Sequence, residues 1–350
     1  MKAGLALFDL FVGAGVAFGG ALGLVALARR LLRLEHGRLL VLLLAAPLVK
    51  AAVEVARGVP QGSYLWARLA GATRDLGTFQ VGLGISAPAV PVIQLSFGAL
   101  VRGANLPQSL ADGLAVMLTR HVGAWLPAAL GILLASAAAL GLAAWFASGW
   151  RAARRDAQMV RAARCVEVRR FGPRRVHILC GRDLAEVPCA GGLARPWIWF
   201  PEEMYQALEP DEREAVIAHE LAHLRWFDGA MLTGVGALQA VFAFVPGTAP
   251  LVRRIGFELE LAADQVAGRA TSATALAAAL VRVAELAVRR PGPAPSLALL
   301  QPGSVLGARV LRLLGPLGRE DAWTWKVRAR FGIGVLVAVA AVLRSNFFGY

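Results

Sequence analysis

The chain has 350 residues, 57% of them hydrophobic and only 17% charged, with a mean hydropathy of +0.58; that is too apolar for a soluble enzyme of this size. The net charge of +14 is carried almost wholly by arginine. The arginines sit at the ends of apolar runs, which sets aside a nucleic-acid partner and points to a lipid bilayer instead.

Residues 3–28 are apolar apart from Asp9 and long enough to cross a hydrocarbon core of about 30 Å. A cleaved signal peptide is the weaker reading. Ala26-Leu27-Ala28 resembles a cleavage site, but Arg29 and Arg30 follow the run and only Lys2 precedes it. Residues 39–57 form a second span, with Lys50 and Glu54 placed as an ion pair at a helix contact or at the interface. Residues 58–121 make a loop on the far side, holding Pro60, Pro88, Pro91 and Pro107. Residues 122–149 form a third span with Trp125 and Trp145 as interface anchors, and residues 331–343 open a shorter fourth before a tail ending at Tyr350. Arg29, Arg30, Arg33 and Arg38 lie between the first two spans; Arg151, Arg154, Arg155, Arg161 and Arg164 follow the third; Lys326, Arg328 and Arg330 precede the fourth. The positive-inside rule makes all three clusters cytoplasmic and leaves the N-terminus and the 58–121 loop outside.

The stretch 150–330 is therefore expected to be a cytoplasmic domain. It starts with an arginine-rich helix (150–165). Short strands follow at Val176–Leu179 and at Trp197–Phe200, with Gly191-Gly192 as the turn before the second. This second strand has two readings, an edge along which a substrate peptide pairs or a plain packing strand. His177 alternates with Val176 and Ile178 and belongs on an outward face. Cys165, Cys180 and Cys189 lack C-x-x-C spacing and fit reduced thiols, with no second metal site. An alanine-rich helix (271–289) and a proline-rich linker (291–295) close the domain.

The chemistry is concentrated in His219-Glu220-Leu221-Ala222-His223. Two histidines four apart on a helix project from one face, so both imidazoles can bind one Zn²⁺. Glu220, beside the first, is placed as the general base that takes the proton of the attacking water. With 5 His and 23 acidic residues in 350, the pattern arises by chance only about 0.005 times per chain. Pro210 suits the first position of the carrying helix, and Asp211 and Glu212 complement its dipole. A catalytic zinc takes three protein ligands, and the third is sought in Glu258-Leu259-Glu260-Leu261-Ala262-Ala263-Asp264. Glu260 is preferred because Asp264 lies one turn on, where its carboxylate can hold the outer N–H of a ligand histidine. Glu258 then points away. Between the two motifs lies an apolar segment (229–250). Its flanks must meet at one ion, so it dips into the membrane and returns, breaking at Pro246-Gly247, or lies along the surface.

H-E-L-A-H with a trailing aspartate, Asp228, followed by an apolar hairpin and E-L-x-x-D, resembles the membrane metallopeptidases of the beta-lactam sensor-transducer (antirepressor) type. The order of spans and the strand Ile198-Trp199-Phe200-Pro201 before the metal helix are similar to theirs. The resemblance is specific over 196–264 and topological elsewhere. It implies a gluzincin-like site, with His219, His223 and Glu260 as ligands, Glu220 as base and Asp264 behind a histidine. Those sensors carry a penicillin-binding domain after the last span; the chain stops at Tyr350, so only the peptidase module is expected. HtpX-like and CAAX-type membrane proteases share the ligand logic. The expectation is a mainly α, polytopic bacterial membrane protein with about four spans, a membrane-dipping hairpin and a small α+β zinc domain at the cytoplasmic face. It would hydrolyse a protein or peptide substrate, such as a cytoplasmic repressor; a non-catalytic zinc-binding membrane scaffold is the reading from another class.

Overall fold

The computed structural model describes residues 2–31, 37–61, 114, 117–182, 187–192, 194–288 and 305–315. The expected fourth span (331–343), nearly all of the 58–121 loop beyond Gln61, the linker 291–295 and His36 lie outside the described residues. Within them the chain is mainly helical with one small sheet.

Three helices come first: α1 (Lys2–Leu31), α2 (Arg38–Gln61) and α3 (Trp125–Ala162). Two helices, Ala3–Leu31 and Trp125–Ala162, are long and apolar enough to cross a membrane. Small residues let α1 and α3 meet backbone to backbone. A Cβ on Gly131 would lie 2.0 Å from the Gly4 carbonyl oxygen, and one on Gly4 would lie 2.4 Å from that of Ala128, so neither position tolerates a side chain while the crossing holds. On α2, Lys50 and Glu54 form an ion pair one turn apart.

The arginine-rich stretch after the apolar part of α3 is not a separate helix through 165. α3 runs unbroken to Ala162, and the chain turns extended at Arg164 to begin β1 (Arg164–Phe171). Valines and charges alternate there (Val166, Glu167, Val168, Arg169), and Gly172 at φ 58° closes a hairpin into β2 (Arg174–Gly181). A short β3 (Cys189–Gly191) and β4 (Trp197–Pro201) complete a sheet of order β1-β2-β4-β3. β4 is internal, parallel to β2 and antiparallel to β3. It is buried along its whole length, so the packing reading of Trp197–Phe200 holds, and the edge beside it belongs to β3.

After β4 come α4 (Glu202–Ala207), α5 (Pro210–Trp226), α6 (Asp228–Val241), α7 (Thr248–Ala270), α8 (Ala273–Val288) and α9 (Val305–Leu314). One sheet face (Val176, Ile178, Ile198, Phe200) packs on Val216 and Ile217 of α5 and Ala279 of α8. Each such side chain contributes about 1.5–3 kcal/mol by leaving water, which makes the sheet a rigid floor under α5. The opposite face buries Leu179, Trp197 and Trp199 against Met159 near the end of α3. The segment after α5 folds as helix, turn and helix. Its turn, Phe242 to Gly247, packs on the middle of α1: Phe244 meets Phe11 edge-on with ring centroids 5.5 Å apart, and Phe242 and Val245 share a core with Ala14, Phe18, Leu40, Leu44 and Leu48. α6 also lies against α3, where a Cβ on Gly141 would sit 2.1 Å from the Ala240 carbonyl oxygen.

Candidate metal centre

α5 is well anchored where it begins. Pro210 occupies the first turn, and Glu209 and Glu212 form a reciprocal capping box in which the Glu212 carboxylate accepts the Glu209 N–H at 3.0 Å. Its interior is buried nearly all round, by Ala215 and Ala222 as well as by the residues facing the sheet. It ends at Phe227, φ 56°, the one non-glycine residue with positive φ among the described residues. α7 crosses α5 through alanines: Ala263 and Ala267 are fully buried, and Ala267 shares a small core with Ala215. Side chains this short bring the two helices close enough for Glu260 to reach the histidines.

His219, His223 and Glu260 each offer a ligand atom, all within 4.8 Å of one another. The two histidine Nε2 atoms are 3.1 Å apart. Glu260 Oε2 is 3.4 Å from His219 Nε2, and Oε1 is 3.7 Å from His223 Nε2. Donors about 2.0–2.1 Å from a tetrahedral zinc stand about 3.3 Å from each other, so this donor set fits one small cation. Both imidazoles turn their remaining nitrogen to a carboxylate: His219 Nδ1 lies 3.0 Å from Asp264 Oδ1, and His223 Nδ1 lies 2.9 Å from Asp228 Oδ2. That arrangement leaves Nε2 free to face a metal and raises its basicity. Glu220, on the same helix, is buried, and burial pushes its carboxyl above the ordinary range.

Several of these residues had no local sign in the sequence. Asp264 accepts from Arg309 Nε and Nη2 at 2.7 Å each, and Arg309 Nη1 lies 3.0 Å from Glu260 Oε2. Arg309 stands on α9, and its pair with Asp264 is almost wholly buried. Asp228 is gripped through both oxygens by Arg38, with Nη2 to Oδ2 at 3.1 Å and Nη1 on Oδ1. For Asp228 the sequence offered one clue: a ligand histidine needs an acceptor for its outer N–H, and Asp228 is the first acid after His223. Arg38 and Arg309 offered none.

The electrostatics suit a cation. Burial disfavours charge on His219, yet Asp264 and Glu260 lift it to about 9. Burial likewise works against ionised Glu260, but His219, Arg309 and His223 hold it down to about 2. Arg309 is raised because its bonds to Asp264 outweigh its desolvation. Cys189, on β3, is pushed up to about 12 by burial and by the charge of Glu220, and β3 packs against α5.

The neighbouring candidates stay outside the ligand set. Glu258 is fully buried and paired with Arg254 one turn earlier. Two residues from Glu260 on a helix, it faces about 200° away. His177 is exposed, 3.9 Å from Cys165 Sγ, and His121 is exposed as well. Neither joins the metal centre.

A family model described as BlaR1 peptidase M56 matches residues 104–284. The match takes in both metal motifs and the hairpin between them, and just over half of the chain. Arg38 and Arg309 lie on either side of it. No curated protein matches the chain. With the two histidines of H-E-x-x-H and Glu260 converging on one donor cluster inside the matched region, the chain belongs to the BlaR1 peptidase M56 family of metallopeptidases.

Proposed function

We propose that the protein is a membrane-embedded zinc endopeptidase that cleaves peptide bonds at the cytoplasmic membrane face, with His219, His223 and Glu260 as zinc ligands and Glu220 as general base. The convergence of two Nε2 atoms and one carboxylate at tetrahedral spacing carries the proposal. Zn²⁺ supplies Lewis acidity toward a peptide carbonyl and lowers the pKa of water near it. Glu220, one position from a ligand and buried, takes the proton of the attacking water and delivers it to the leaving amine. Asp264 and Asp228 hold the imidazoles in the tautomer that presents Nε2. The β3 edge, packed against α5, offers backbone groups to an extended substrate.

Two observations support the placement. Asp228 of the site is bonded to Arg38, part of the arginine cluster between α1 and α2, which supports a site at the basic end of the helices, the end that the positive-inside rule assigns to the cytoplasm. α6 has 14 residues and so extends about 21 Å, and its turn packs at the middle of α1; the hairpin thus dips part-way into the bilayer. A regulatory substrate such as a cytoplasmic repressor fits this location, and an HtpX-like or CAAX-type processing role is the alternative. A non-catalytic scaffold has no use for a buried base beside a complete ligand set.

The test is Glu220→Gln in purified, detergent-solubilised protein. It should keep about one zinc per chain and lose peptidase activity by about 10²–10⁴-fold. Full activity in the variant would sink the mechanism; a wild-type protein that takes up zinc but cleaves no peptide would hand the case to the zinc-binding scaffold, and one that takes up no metal would overturn both readings.

A further inference from the structure

The most distant partner of the metal centre in the chain is Arg38, 190 residues before Asp228. It is the first residue of α2, where the helix dipole disfavours a cation. A guanidinium at that position needs a carboxylate, and Asp228 supplies one. Its side chain is 2% exposed and both oxygens are held by Arg38. Arg38 also lies over the Trp226 ring, 4.9 Å from its centroid, so it touches the last residue of α5 and the first of α6.

Asp228 does not reach His223 by helical periodicity. Five residues along one continuous helix place two side chains about 140° apart. The left-handed turn at Phe227 breaks the helix and swings Asp228 back to 2.9 Å from His223 Nδ1. A β-carbon in that conformation crowds the following carbonyl oxygen, and the contacts of Asp228 on both sides hold the turn in place. α2 in turn packs against both α6 and α7, the helices that begin at Asp228 and carry Glu260.

We infer that Arg38 is a positioning residue for the metal centre: by gripping Asp228 through both oxygens it fixes the imidazole of His223, so that metal affinity depends on where α2 is seated. The first two helices are then part of the metal site and not merely its anchor. The inference rests on reading His219, His223 and Glu260 as the ligand set.

The experiment uses the full chain in detergent or nanodiscs, with Zn²⁺ and Co²⁺ as probes. Zn²⁺ affinity is read by competition with a chromophoric chelator, and ligand geometry by the visible absorption of bound Co²⁺. Asp228→Asn should weaken zinc by about 10–100-fold. Arg38→Gln should weaken it by about tenfold or more and alter the Co²⁺ spectrum in the same way. The double variant should be no weaker than Asp228→Asn alone, because Arg38 acts only through Asp228. Arg38→Lys, which keeps the charge but not the two-oxygen grip, should fall between Arg38→Gln and wild type. Wild-type affinity and spectrum in Arg38→Gln overturn the inference, as do additive losses in the double variant. If Arg38→Gln does not fold, Arg38→Lys carries the test, and unchanged affinity there overturns it equally. His219→Ala separates the two layers. If it retains wild-type zinc affinity, the ligand assignment itself falls; if it loses zinc while the Arg38 variants do not, only the role of Arg38 falls.

Discussion

Asp264→Asn tests the ligand arrangement most directly, because every lone pair of this carboxylate that matters is accounted for. Oδ1 accepts from Arg309 Nη2 at 2.7 Å and faces His219 Nδ1 at 3.0 Å, while Oδ2 accepts from Arg309 Nε at 2.7 Å. Asparagine keeps the shape but replaces one oxygen with an NH₂ group, which meets a donor in either orientation. The less costly orientation turns the amide nitrogen toward Arg309 Nε. It gives up one charge-assisted hydrogen bond, worth about 1.5–3 kcal/mol, and removes the negative charge behind His219. The expected loss in zinc affinity is about 10–100-fold, or about 1.4–2.8 kcal/mol at 1.4 kcal/mol per decade. Chelator competition on the purified protein measures it. Glu258→Gln is the control: Glu258 is buried against Arg254 and faces away from the site, so it should lower fold stability and leave zinc affinity within about twofold. Unchanged affinity in Asp264→Asn together with a large loss in Glu258→Gln would show that the third ligand has been assigned to the wrong glutamate.

Three further outcomes are expected. Stripping metal with a strong chelator should lower the thermal midpoint, since zinc held at 100 times its Kd stabilises by about 2.7 kcal/mol, and His219→Ala or Glu260→Ala should abolish both the shift and the bound zinc in metal analysis. Gly141→Leu places a side chain where even a Cβ would come within 2.1 Å of the Ala240 carbonyl oxygen; it should separate α6 from α3 and destabilise the fold by at least the 1–3 kcal/mol typical of overpacking, read as a lower midpoint or loss of monodisperse protein. Phe227→Gly should relieve the left-handed strain at φ 56° and, after loss of the Arg174 contact over the ring, change stability by less than about 1 kcal/mol while preserving zinc affinity; a large loss of zinc would mean that the ring itself positions Asp228.

What was legible in the sequence was local. His219 and His223 share a face because four residues make about one helical turn, and Glu260 and Asp264 share one for the same reason. The start of α5 followed from Pro210 and its acidic first turn, and the apolar runs of α1 and α3 announced themselves by length. The alternation in Val176–Leu179 and Trp197–Phe200 marked strands, but not their neighbours, since period-two patterning is blind to pairing order; only the sheet shows that β4 is central and β3 the edge. The arginine-rich tail of α3 suggested one helix continuing through 165, yet the valines from 166 onward find a pleated neighbour in β2. The residues that complete the site were beyond any local rule. Arg38 stands 190 positions from Asp228, and Arg309 stands 45 from Asp264. A salt bridge leaves no periodicity in the chain, and an arginine among many carries no mark of its partner. The sequence alone picked out the candidate ligands, because one helix turn sets the spacing of His219 with His223 and of Glu260 with Asp264; the tertiary packing of α2 and α9 decided which cations hold the carboxylates behind them, because that depends on where distant helices come to rest.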